Sequence, residues 1–246
     1  MFLFRGKMGT VLHTGDFRFS EIMFKNEWLC PVEKHNSLMK GITVDVDYLH
    51  LDNTFANPEY DFPSREEAYA SLVKIVKNHI DHRIFVFSYS LGKEEVLLLL
   101  ADDFNCKIVV DEERMNKVKL MDLRPELFTT DPNASKIHVK QIRELSHFNI
   151  NECNKEMPTI FIILTGWNDK YNKNLPFYFK VPYSSHSNYR ELERFVKAVN
   201  PRKIIYNVHE RNDTKKRHEF QTYLAREYER KGPVVTASAL PLQRPP

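Results

Sequence analysis

Eight short apolar stretches, at residues 9–14, 42–51, 83–89, 107–110, 136–139, 159–165, 177–181 and 203–208, alternate with segments of helical character. Stretches of this length read as strands, and their alternation with helices defines a layered α/β architecture. After Pro63, Ser64 and Glu67 form a capping box, and Ala68, Leu72, Val73, Ile75 and Val76 follow as one apolar stripe, so a helix is predicted there. Asn188 and Glu191 start a second, carrying Leu192, Phe195, Val196 and Val199 before Pro201 stops it. A last amphipathic helix is predicted over about 213–231, where Gly232 ends it, and the small, Pro-rich tail 232–246 is expected to be disordered. Met1-Phe2-Leu3-Phe4 is already strand-like.

With 42% hydrophobic residues in 246, the chain has enough apolar surface for a real core. Its longest purely apolar stretches, 96–101 and 160–164, are far too short to cross a bilayer, so no membrane partner is expected. The start lacks the basic leader and long apolar region of a signal peptide, and secretion is not expected. Cys30, Cys106 and Cys153 form no CxxC pair and leave an odd number, which points away from a disulfide framework and towards a reducing compartment. A formal charge of +3 is compatible with nucleic acid without demanding it, so any polyanion site has to be argued locally.

Three strand ends carry the chemistry. Asp16 closes the run that ends in Thr14-Gly15-Asp16-Phe17-Arg18, Asp52 closes Tyr48-Leu49-His50-Leu51-Asp52-Asn53-Thr54, and His186 closes Val181-Pro182-Tyr183-Ser184-Ser185-His186. Taken singly, the aspartates read as turn residues and the histidine as a group that orients a helix start. Taken together, carboxylates and an imidazole on rigid strand ends suit a dication with an open coordination position, although three groups cannot hold two metals. In Tyr89-Ser90-Leu91-Gly92-Lys93-Glu94, a hydroxyl, a glycine turn and an ammonium at a strand-to-helix junction fit a phosphate pocket, against the plainer reading of a helix cap with a surface lysine. Arg18 is a candidate substrate contact or a surface arginine, and Trp167 a candidate stacking platform or a core tryptophan. Lys215-Lys216-Arg217-His218 reads first as a solvated helix face and second as a nuclear-localisation run.

The ordered series TGDFR, LDNTFANPEYDFPSREEA, YSLGKEE, LTGW, VPYSSHSNYRELERFV and KIIYNV resembles the metallo-β-lactamase nucleases with a β-CASP insertion, and within them the DNA-processing branch. The resemblance covers residues 1 to about 210. It implies a partial metallo-β-lactamase αββα sandwich over 1–57 and 178–231, interrupted by a β-CASP domain over 58–177. It implies a nuclear DNA 5′-to-3′ exonuclease of interstrand-crosslink repair, with telomere-end processing beside it. Zinc or another dication is the implied cofactor, and DNA, especially with 5′-phosphorylated ends, the implied partner. Residue by residue, Asp16 matches the metal-bridging aspartate, His186 the histidine that completes the second metal, and Asp52 the acidic residue that supports the catalytic site. Ser90 and Lys93 match a pocket for a 5′-terminal phosphate. Val208 stands where DNA-acting members have valine and RNA-acting members histidine, with His209 next door.

The chain departs from that family in one respect. Its members carry an H-x-H-x-D-H motif upstream of the strand that here begins at Met1, and none of the ten histidines is separated from another by a single residue. A truncated gene model or isoform is the simplest account, and the chain as it stands is expected to be without nuclease activity and to expose an apolar edge at Phe2 and Phe4. Two other readings stay open: an RNA-processing β-CASP endonuclease, and a non-catalytic nucleic-acid-binding module.

Overall fold

The computed structural model describes residues 1–7, 9–25, 44–89, 91–167, 175–208 and 215–229. The readings on Cys30, Ser90, His209 and the tail 232–246 lie outside the described residues. In chain order the elements are β1 (Phe2–Gly6), β2 (Gly9–His13), β3 (Tyr48–Leu51), α1 (Arg65–Asn78), β4 (Arg83–Ser88), α2 (Glu94–Asp103), β5 (Ile108–Val109) and α3 (Glu112–Leu120). They continue with β6 (Phe128–Thr129), β7 (Ile137–Gln141), α4 (Ile150–Glu156), β8 (Thr159–Leu164), β9 (Tyr178–Val181), α5 (Tyr189–Val199), β10 (Lys203–Tyr206) and α6 (Lys215–Tyr228). They form two compact units, Met1–Asp61 with Ser185–Pro246, and Phe62–Ser184.

In the first unit the sheet order is β1-β2-β3-β10, antiparallel between β1 and β2 and parallel elsewhere. Leu12, Leu49, Leu51 and Ile204 point from these strands into one core, and the predicted stripe of α5 meets them there: Leu192, Phe195, Val196 and Val199 are all buried. The α5 capping box forms as predicted, with the Glu191 N–H donating to Asn188 Oδ1 at 2.8 Å and the Asn188 N–H to Glu191 Oε2 at 3.0 Å. At the sheet edge Phe2 and Phe4 are exposed and stack on each other at 6.2 Å.

The strand expected over 42–51 is narrower than its apolar pattern suggested. Val44 and Val46 are buried, and β3 starts at Tyr48, preceded by backbone bonds from the Asp47 N–H to the Thr10 carbonyl at 2.8 Å and from the Lys203 N–H to the Asp47 carbonyl at 2.9 Å. At that point the Asp47 side chain accepts the Thr10 N–H at 2.7 Å and pairs with Arg202 at 2.9 Å. That carboxylate also dictates Gly9: its φ is +93°, and a Cβ there would lie 2.3 Å from Asp47 Oδ2. Gly9→Ala therefore combines backbone strain with a clash against a side chain tied down on both oxygens. We expect a loss of about 1–3 kcal/mol, read as a lowered melting temperature; an unchanged one would show that the hairpin end relaxes freely.

The second unit is a parallel sheet of order β6-β5-β7-β4-β8-β9. Period-two alternation serves both faces, as a sheet covered on each side requires. Ile84, Val86, Ile160, Ile162 and Leu164 enter one core with the helix residues Leu72, Val76, Leu97 and Leu100, while Phe85, Phe87, Phe161 and Ile163 enter the other with Ile142, Leu145 and Ile150. The predicted Ser64/Glu67 box opens α1, with bonds of 3.1 and 2.9 Å.

The unit boundaries differ from the expected 57/58 and 177/178. Phe55 and Tyr60 pack ring to ring at 5.0 Å, and the Tyr60 carbonyl accepts the Tyr189 N–H, which keeps residues up to Asp61 in the first unit. β9 pairs with β8, so the chain returns to the first unit only at Ser185.

Candidate metal centre

The first unit brings Asp16, Asp52 and His186 together: one ligand atom from each lies within 4.8 Å of the others. They come from three distant parts of the sequence, and local chemistry explains each position. Gly15 adopts φ +59° with open space where a Cβ would stand, so the turn after β2 needs a residue free of left-handed strain. Asp16 follows it, exposed. Thr14 links this turn to the next strand end: its hydroxyl donates to the Gly15 carbonyl at 2.7 Å and accepts the Asp52 N–H at 2.9 Å.

Asp52 is only 3% exposed, and its carboxylate is fully used. Oδ1 accepts the Thr54 N–H at 3.1 Å and hydroxyl at 2.6 Å, while Oδ2 accepts the Phe17 N–H at 3.3 Å and meets His186 Nδ1 at 2.7 Å. Burial alone pushes the carboxyl up, but the bonds from His186 and Thr54 outweigh it and hold it below its ordinary range. An ionised carboxylate only accepts, so Nδ1 of His186 carries the proton and the ring's acceptor lone pair lies on Nε2. A histidine held in this way by a carboxylate is the usual form of a metal-binding imidazole. The donor set could hold a dication: Asp16 and His186 would offer it ligand atoms, while Asp52 accepts from His186 and orients it.

Ser187 fixes the His186 turn against the Asp16 loop: its N–H and hydroxyl donate to the Phe17 carbonyl at 2.9 and 3.0 Å, and its oxygen accepts the Phe19 N–H at 2.9 Å. Arg18 is no surface arginine here. It is 7% exposed, donates from Nη2 to Glu191 Oε1 at 2.9 Å and is ion-paired through Nε with Oε2 at 2.7 Å, the same carboxylate that caps α5. Charge-assisted forks of this kind position backbone. Arg217 likewise leaves the basic run: it is buried and donates to the carbonyls of Asn53 at 2.6 Å and Thr54 at 3.4 Å, behind Asp52. Val208 is held through its backbone, its N–H donating to Asn53 Oδ1 at 2.7 Å and its carbonyl accepting from Nδ2 at 3.0 Å. The buried Asn53 amide thereby continues the β3–β10 ladder where the strands themselves stop.

In the second unit Lys93 is no surface lysine. It stands at the residue before α2 at 6% exposure, with Nζ 5.5 Å over the Tyr183 ring, and Gly92 before it takes φ +92°. Trp167 is half-buried after β8, its N–H donating to the Thr165 hydroxyl at 3.2 Å. A buried guanidinium that the sequence did not announce, Arg114, donates to the Ser88 hydroxyl and the Tyr89 carbonyl. Burial draws its pKa down, against the raising influence of Glu94, Asp111 and Glu113. Of the supporting residues missed, Thr14 and Thr54 left a trace, since each stands two residues from an aspartate of the centre; Ser187 and Arg114 left none.

The family described as DNA repair metallo-β-lactamase matches residues 122–212. The chain is 36% identical over 211 residues to the 5′ exonuclease Apollo of Mus musculus, covering 86% of this chain and 36% of that protein. It is 37% identical to the Apollo of Gallus gallus, covering 83% and 42%, and 31% identical to the DNA cross-link repair 1A protein of Homo sapiens, covering 85% and 21%. The chain belongs to the DNA repair metallo-β-lactamase family. It spans less than half the length of these curated relatives. Among solved structures it is similar to a protein of unknown function from Enterococcus faecalis V583, with a TM-score of 0.51 and 12% identity, over 83% of this chain and 53% of that one. That likeness speaks for the fold alone.

Proposed function

We propose that the chain is part of a metal-dependent DNA 5′-to-3′ exonuclease that acts in the nucleus on interstrand crosslinks, with telomere-end processing as a second process. The observation that carries this reading is the convergence of Asp16, Asp52 and His186, in a chain similar to proteins named 5′ exonuclease and cross-link repair protein. In this reading the first unit is the metallo-β-lactamase part and the second, 62–184, the β-CASP domain. Asp16 and His186 hold zinc or another dication, and Asp52 keeps His186 in the ligating tautomer. A bound dication supplies an acidified water and neutralises charge on a scissile phosphate. In the second unit Lys93, with Ser90, anchors a 5′-terminal phosphate at the start of α2, and Trp167 stacks on a base. Val208 marks the chain as DNA-acting.

Fluorescence anisotropy with 5′-phosphorylated DNA, 5′-hydroxyl DNA and RNA of equal length tests the substrate class without requiring turnover. Phosphorylated DNA should bind best. Lys93→Ala should weaken its binding roughly ten- to a hundredfold, the worth of one charge-assisted contact, while leaving 5′-hydroxyl DNA almost untouched. Equal loss on both DNAs would remove the phosphate pocket, and a preference for RNA would favour the RNA-processing alternative.

A further inference from the structure

The polar network around Arg114 occupies the carboxyl edge of the second unit's sheet, where open α/β sheets take their ligands. The chain leaves β4 towards β5 on one side, whereas it leaves β8 towards β9 on the other, so the connections diverge between β4 and β8. The junction carrying Lys93 leaves β4 there.

We infer that Arg114 is a positioning residue that holds the end of β4 and the Gly92–Glu94 start of α2 so that Lys93 can bind a terminal phosphate, an inference that rests on reading Lys93 as part of a phosphate pocket. One guanidinium grips both the end of β4 and the first residue of α2. Nη2 donates to the Ser88 hydroxyl at 3.1 Å and to the Tyr89 carbonyl at 2.5 Å, at the end of β4. Nη1 reaches Glu94 Oε1 at 3.4 Å, on the first residue of α2, and the other Glu94 oxygen accepts the Gly92 N–H at 2.7 Å. Glu94 would otherwise set a carboxylate beside an incoming anion; the pairing with Arg114 and the Gly92 N–H neutralises it and turns it aside.

The anchor of this clamp is itself fixed. The Arg114 N–H donates to Asp111 Oδ1 at 2.7 Å at the start of α3, and Gln141 at the end of β7 donates to Asp111 and Glu113 at 3.4 and 3.2 Å. The ends of β5, β7 and β4 are thereby joined in one frame. Burying a guanidinium is a poor route to stability compared with an apolar side chain of the same volume, whereas its planar fork holds several oxygens in fixed directions. Lysine keeps the charge but not the fork.

The test compares Arg114→Met, Arg114→Lys and Lys93→Ala in the full chain by anisotropy with 5′-phosphorylated and 5′-hydroxyl DNA, below the melting temperature of each variant. Both Arg114 variants should lose the phosphate preference by roughly tenfold or more, lysine failing to rescue it, with 5′-hydroxyl binding unchanged. If the methionine variant does not fold, the lysine variant, which keeps stem and charge, decides. Loss of preference in Lys93→Ala but not in a folded Arg114 variant overturns the positioning role alone. A preference that survives Lys93→Ala overturns the phosphate reading and this inference with it.

Discussion

Asp52→Asn is expected to lower the zinc affinity of the chain roughly ten- to a hundredfold without touching either proposed ligand. The amide can keep its oxygen on Thr54, which supplies two donors to Asp52 Oδ1, and this turns its NH2 towards His186. Nδ1 of His186 then has to accept, the proton moves to Nε2, and the lone pair needed by the metal is gone. Asp52→Ala should show the same loss of zinc together with a drop of roughly 1–3 kcal/mol in stability, because donors from Thr54, Phe17 and His186 all lose their acceptor. Titration calorimetry with zinc, set beside thermal melting, separates the two effects. Zinc affinity unchanged in the asparagine variant would mean that His186 does not bind metal through the Nε2 tautomer.

The fold was legible where the signal is local. A capping box needs only residues three apart, and both boxes form at Ser64 and Asn188 as the sequence predicts. The alternating strands of the second unit were visible because each face meets its own core. Partners brought in from far along the chain were not visible. Arg18 finds the Glu191 carboxylate across 173 residues and Arg217 finds the Asn53 carbonyl across 164, so both arginines are buried on partners that no local pattern announced. Asp47 shows the same limit from the other side: the apolar alternation of Val44 and Val46 announced strand, but not that the carboxylate between them and Tyr48 would bond Thr10 and Arg202. At the candidate centre the residue types were readable from the three strand ends, and the family resemblance assigned Asp52 a supporting place, but the physical basis for that division of labour was not visible. That depends on Asp52 being buried with both oxygens occupied, while Asp16 stands exposed.

This division of labour sets the largest expected effect: the 246 residues as they stand should bind fewer than two equivalents of zinc and show no metal-dependent cleavage of DNA. Two dications that share a phosphate lie about 3.5–4 Å apart, and each takes about four ligands, three of them typically from protein in a catalytic zinc site. Among the described residues the group of three or more potential ligands is Asp16, Asp52 and His186, and the four bonds on the Asp52 carboxylate leave Asp16 and His186 as the groups that offer a metal their lone pairs. An aspartate and a histidine can seat one dication weakly and cannot seat two. Metal analysis after dialysis against zinc, with digestion of 5′-phosphorylated DNA in parallel, reads both consequences. The ligand count would be overturned by two bound equivalents together with cleavage that Asp16→Ala abolishes, since the missing donors would then have to come from residues not assigned to the centre.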